Sequence, residues 1–235
     1  LYAPMSRKLV PGKPLEIGDD VKVYQEVLVS LGFAKWDNLR AGEYAQNTWE
    51  AVERLGKAHG IDPQNVLGLR VHNLLVPHMS AGQRFRLAMH YGDHLGGGGH
   101  RIAQAARWAQ DYWLPYVADR PLPDVLFPLI PQKSDCSFFY TRCLLSAGFT
   151  SAIPESQHQG DTYTLVHYGN AVNPDQIAPG DAVFVDGPDG VNSHMFVAYT
   201  YWNNGQGYGI SHGFAGHPNN EPYNFYPIYA VRRFA

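Results

Sequence analysis

The chain has 235 residues, enough for one large domain or two small ones with a buried core. Hydrophobic residues make up 45% of it, the formal charge is −3 and the mean hydropathy is −0.29. That balance suits a soluble globular protein and offers no electrostatic pull towards nucleic acid or an anionic membrane. No stretch approaches the run of about 18 apolar residues that spans a bilayer. The chain opens at Leu1 without a basic-then-apolar leader, so no signal peptide is expected.

Its two cysteines, Cys136 and Cys143, stand seven positions apart. On a helix rising about 1.5 Å per residue their Cα atoms lie about 10 Å apart, whereas a disulfide needs them within about 7 Å. Both thiols are therefore expected free, with stability supplied by the core rather than by cross-links.

In chain order, an extended lead with Pro4, Pro11 and Pro14 gives way to "DDVKVYQEVLVSLGF". Val21, Tyr24, Leu28 and Leu31 recur at helical spacing, Asp19 or Asp20 can cap the start, and Gly32 can stop the end. A second helix fits "NTWEAVERLGKAHG", capped by Asn47 and stopped by Gly60, with Trp49, Val52 and Leu55 inward. A third, shorter one fits "NVLGLRVHNLL". Together they predict a small helical domain over 1–76.

Residues 77–125 read as a helical connecting tract packed with the domain that comes after it, interrupted by Gly96–Gly99. Glycine costs a helix about 1 kcal/mol per residue, so four in a row predict a turn or a close backbone approach. His94 and His100 flank the glycines, but no paired-histidine helix motif accompanies them, and no metal or cofactor is expected. The glycines also lack the Lys-Ser/Thr of a phosphate loop. Trp49, Trp108 and Trp113 sit at helical spacing among apolar residues and read as core.

Over 126–235 the texture changes. "CSFFYTRCLLSA" predicts a helix capped by Ser134 or Asp135 and stopped by Gly148, with Cys136 in its first turn. There the unpaired amides and the helix dipole favour a thiolate and can serve an oxyanion. Cys143 has no such setting and reads as core. "GDAVFVD", "SHMFVAYTYW", "GYGISHGF" and "YPIYAVRRF" then predict short antiparallel strands, giving an α+β chain. His194 opens one of these strands and His212 lies on the next. A nucleophile on a helix, a base on a strand and an orienting group beside it are the parts of a cysteine-hydrolase triad.

Two stretches also resemble known families. Residues 15–76 resemble the three-helix peptidoglycan-binding domain attached to many cell-wall hydrolases, through Gly18, Asp20, Val21, Gln25, Leu31, Gly32, Phe33, Gly42, Thr48, Ala51 and Val52. Leu55 and Gly56 stand where that family has Phe-Gln. Residues 126–235 resemble the NlpC-type cysteine peptidases through "DCSFF", "PGDAVF" and "SHMFVAY". That likeness implies a papain-like domain with the nucleophile helix packed on an antiparallel sheet. It also implies Cys136 as nucleophile, His194 as base, His212 as orienting residue, and Asp135 and Ser137 as support for the nucleophile turn and oxyanion. Phe138 stands where the family has glycine, and "LFPLIPQKS" lacks the family's tyrosine, for which Tyr116 or Tyr163 is a candidate substitute.

The resemblance implies a monomeric peptidoglycan hydrolase of the phage-lysin type, acting at the bacterial wall on stem-peptide amide bonds. Nucleic acid and membrane are not expected partners. An N-acetylmuramoyl-L-alanine amidase and a non-catalytic wall-binding or virion protein with a degenerate peptidase domain are the alternatives.

Overall fold

The computed structural model describes all residues except 1–2, 6, 13–14, 113–133, 159 and 214–216. Trp113 and Tyr116 lie outside the described residues. The chain divides into two compact units, 1–91 and 92–235. The first unit thus takes in residues 77–91, the opening of the tract that the sequence marks as a connector.

In the first unit, α1 (Asp19–Ser30), α2 (Gln46–Ala58) and α3 (Leu69–Leu75) surround a core that includes Val21, Tyr24, Leu28, Val52, Leu55, Val71 and Leu75. The apolar periodicity of α1 is what buries Val21, Tyr24 and Leu28 together. One buried polar residue ties helix to loop. Gln25 donates to the carbonyls of Arg40 and Glu43 and to the Thr48 hydroxyl, and it accepts from the Gly42 amide at 2.8 Å. A side-chain amide used on both sides can be fully buried without loss.

Two helix starts differ from the sequence reading. Gly18 flanks α1 without a side-chain cap, while Asp20 is buried and accepts from Arg7 at 3.0 and 3.2 Å. Ion pairing has drawn that carboxylate away from the helix amides. Ala45, not Asn47, flanks α2, and the Asn47 amide donates to the Asn38 carbonyl instead. The stops fall as expected, with Gly32, Gly60 and Gly148 all at positive φ. α4 (Ala81–Leu95) begins in this unit, where Arg86 pairs with Asp19 at 2.7 Å and Glu26 at 2.9 Å.

The second unit holds α5 (Gly98–Tyr112), α6 (Cys136–Ser146), the single-turn α7 (Thr162–Leu165) and six strands. The strands are β1 (Asn170–Ala171), β2 (Ala182–Gly187), β3 (Gly190–Ala198), β4 (Tyr208–His212), β5 (Pro218–Pro222) and β6 (Ile228–Arg233). They form one antiparallel sheet in the order β1-β6-β2-β3-β4-β5. The fold class is α+β. On one face lies a core of Ile177, Val183, Val185, Phe196, Ala198, Tyr223 and Val231. The alternation of β2 and β3 sets these residues apart from Phe184, Met195 and Val197 on the other. Among the described residues no helix is long and apolar enough to cross a membrane.

The glycine run has a steric reason. Gly96 and Gly97 make the turn at positive φ, and α5 starts at Gly98. Gly99 then meets the turn of the Pro-Gly-Asp motif backbone to backbone, so that a Cβ on Gly180 would stand 2.1 Å from the Gly99 carbonyl oxygen. Asp181 comes next, buried, accepting the Ala178 amide at 2.9 Å and a two-pronged pair from Arg233 at 2.7 Å. Gly180, at φ +90, has both a conformational and a contact reason to be glycine. Gly180→Ala should therefore lose about 2–4 kcal/mol of stability, from overpacking and left-handed strain together. Urea unfolding checks this, with Gly12→Ala, where a Cβ meets nothing within 4 Å, as the near-neutral control.

Candidate active site

Cys136 is the first residue of α6, and the Asp135 carboxylate caps that helix by accepting the Phe138 amide at 2.9 Å. Ser137 adds a hydroxyl hydrogen bond to the same carboxylate at 3.2 Å. The cap places the cysteine at the positive end of the helix dipole, where the first amides have no acceptor within the helix. Phe138, in the position where a glycine was expected, is fully buried, with the Arg142 guanidinium 5.6 Å from its ring centre. A cation–π contact one turn along accommodates the larger side chain. Cys143 is buried, and burial pushes its thiol well above the usual range.

The structure sets Cys136 close enough to His194 for the thiol to raise the pKa of the imidazole. His194 lies on β3, 8% exposed, and its Nε2 meets the Glu221 carboxylate at 2.9 Å and the Ser211 hydroxyl at 3.1 Å. The Ser211 hydroxyl donates to the Met195 carbonyl at 3.0 Å, so towards His194 it can only accept. A carboxylate also only accepts. Nε2 must therefore carry a hydrogen. Burial pulls the imidazole pKa down, but the hydrogen bonds to Cys136 and Glu221 and attraction to both as anions prevail and raise it to about 10.

His212 is placed elsewhere. Val197 faces Ile210 across β3 and β4, so Phe196 falls opposite Ser211 and Met195 opposite His212. Alternation puts Ser211 on the His194 face and His212 on the other. There its ring lies 6.0 Å from Phe139 of α6, edge-on. The register of β4 with β5 pairs Ser211 with Asn219 and Gly209 with Glu221, returning Glu221 to the His194 face. One residue of strand parity separates the expected orienting histidine from the observed partners.

A cavity of about 320 Å³ adjoins His194, lined among others by Pro188, Asn219, Glu221, Phe225 and Tyr226. The Tyr226 ring sits 6.3 Å from the imidazole, edge-on. Tyr163 is 58% exposed on α7. Sequence reasoning missed Glu221 because "PNNEP" has the composition of a turn, and missed Ser211 because the adjacent histidine drew the assignment. Among the described residues no group of three or more His, Cys, Asp or Glu could hold a metal ion.

Comparison with known proteins returns likenesses of shape only. No family model and no curated protein matches the chain. Among solved structures, NlpC2 from Trichomonas vaginalis matches 59% of this chain and 47% of its own at 18% identity and TM-score 0.40. NlpC1 from the same organism matches 57% and 44% at 18% identity and TM-score 0.37. The P60 domain of an antigen from M. avium subspecies paratuberculosis matches 58% of this chain and 96% of its own at 22% identity and TM-score 0.38. The chain thus spans about half the length of the two Trichomonas structures.

The two thiols should differ sharply towards iodoacetamide. Cys136 is half-buried at a helix start beside His194, while Cys143 is sealed in the core. At pH 7 Cys136 should alkylate on the order of 100-fold faster, and Cys143 only on unfolding, as peptide mass spectrometry after timed labelling would show.

Proposed function

We propose that this protein is a cysteine peptidase that cleaves amide bonds in the stem peptides of peptidoglycan, with Cys136 as nucleophile and His194 as general base and acid. The observation that carries the reading is Cys136 at a helix start beside His194, whose Nε2 is already committed to acceptors. The substrate class rests on the resemblance of "DCSFF", "PGDAVF" and "SHMFVAY", and of the helices over 15–76, to wall-hydrolase families.

In this reading the Cys136 proton resides on Nδ1 of His194, and the sulfur attacks the amide carbon as the thiolate of that pair. The carbonyl oxygen takes up the negative charge against the N–H groups at the start of α6, Cys136 among them. His194 then gives the proton to the departing amine as the C–N bond breaks, leaving a thioester. Water attacks the thioester, His194 accepts its proton, and the acid leaves as the thiol is restored.

Cys136→Ala and His194→Ala should each abolish clearing of purified walls while the circular dichroism spectrum is unchanged. A Cys136→Ala protein that still clears walls would end the proposal. Mass spectrometry of the released fragments separates peptidase from amidase cleavage.

For the first unit we propose retention on the wall. The full-length Cys136→Ala protein should sediment with insoluble peptidoglycan, and a Cys136→Ala chain lacking residues 1–91 should sediment several-fold less. Equal sedimentation of the two would remove that role.

A further inference from the structure

We propose that Glu221 is the positioning residue of this site, holding His194 through Nε2 from β5, with Ser211 as its neutral companion on β4 and with no part for His212. The inference rests on Cys136 and His194 acting as nucleophile and base.

Backbone closes in on His194 where two glycines flank it. A Cβ on Gly187 would stand 2.8 Å from the His194 Cβ, and one on Gly213 would stand 3.4 Å from Cε1. Within that space the polar contacts at Nε2 fix which way the ring is turned. Nε2 reaches two acceptors at hydrogen-bond distance, Glu221 at 2.9 Å and Ser211 at 3.1 Å. Ser211 is held by its own donation to Met195, so it too is a fixed acceptor.

The two acceptors differ in charge. Glu221 can neutralise an imidazolium, while Ser211 can only orient it. The groups facing His194 are Cys136 from α6, Ser211 from β4, Glu221 from β5 and the Tyr226 ring edge, and of these only Cys136 and Glu221 supply charge. A carboxylate on Nε2 thus favours the imidazolium that pairs with a Cys136 thiolate and that forms again before the amine departs. A neutral orienting group would fix the tautomer without this electrostatic aid. His212, on the other face of the sheet beside Phe139, cannot reach Nε2.

The pH effect has a definite sign. His194 is raised to about 10 from 6.5, partly by Glu221, so removing the carboxylate charge lowers it. Activity on the alkaline side requires the protonated imidazole, so its alkaline limb must move to lower pH.

The test compares Glu221→Gln, Glu221→Asp and His212→Gln in two assays: wall lysis against pH, and alkylation of Cys136 by iodoacetamide against pH. Glu221→Gln should lower kcat about tenfold or more, change KM little, and move the alkaline inflection of both assays down by about 1–3 units, as for loss of an opposite charge in contact. Glu221→Asp keeps the charge and should hold the inflection nearer the parent value. His212→Gln should leave both inflections in place. A folded Glu221→Gln protein with the parent kcat and inflections would overturn the inference and leave Glu221 an ordinary ion pair. Should Glu221→Gln fail to fold, Glu221→Asp and His212→Gln decide it, and an inflection that tracks His212 instead would overturn it. The alkylation profile needs no substrate. It still reports on Glu221 if wall lysis itself fails, so the two proposals fall separately.

Discussion

A buried imidazole prefers to be neutral, and the second unit is arranged to overcome that preference. Taking His194 out of water penalises its charged form, which by itself lowers its pKa. Interaction with Cys136 and with the Glu221 carboxylate outweighs the penalty and raises it to about 10. Neither partner is a neighbour in sequence. Cys136 comes from a helix start, Glu221 from an edge strand, and Ser211 from the strand between. The arrangement around the imidazole is therefore a consequence of register: one slip in β3, β4 or β5 would turn His194, Ser211 or Glu221 to the other face.

That register is anchored at the far end of β3. The Gly180 amide donates to the Ala198 carbonyl, and the Ala198 amide donates to the Asp181 carbonyl, both at 2.8 Å. The Asp181 side chain is fixed in turn by the Ala178 amide and by Arg233 of β6. Gly99 closes against the same turn from the helical side, and the Tyr140 hydroxyl of α6 donates to the Gly180 carbonyl at 3.1 Å. The helix that begins at Cys136 and the strand that carries His194 thus share one anchor. The Pro-Gly-Asp motif holds the site in place without touching it.

Much of this was legible from the residues. The helix that begins at Cys136 was legible because a cap, a helical apolar pattern and a glycine stop define it locally, and the strand of His194 because an alternating apolar run comes after it. The glycine run announced a close approach but could not name Gly180, since a long-range backbone contact leaves no periodic signature. Residues 218–222 were illegible as a strand because two prolines and two asparagines suit a turn as well as an edge strand. His212 misled for a sharper reason. Strand parity depends on where pairing begins, and the sequence "ISHG" does not say whether the serine or the histidine faces β3's active side. In the first unit Asp20 looked like a cap, but its carboxylate meets the distant Arg7 and His90.

The start of α6 serves a carboxylate and still has an amide beyond its reach. A helix dipole is worth roughly half a charge, concentrated in its first turn. Asp135 takes the Phe138 amide and the Ser137 hydroxyl, both beyond Cys136 along the chain. Neither bond uses the Cys136 amide, so in the proposed reaction that amide is the donor on which a developing oxyanion would draw, and a preorganised donor is most effective there. The group that starts the helix and the group that would serve the chemistry are therefore different atoms of one turn.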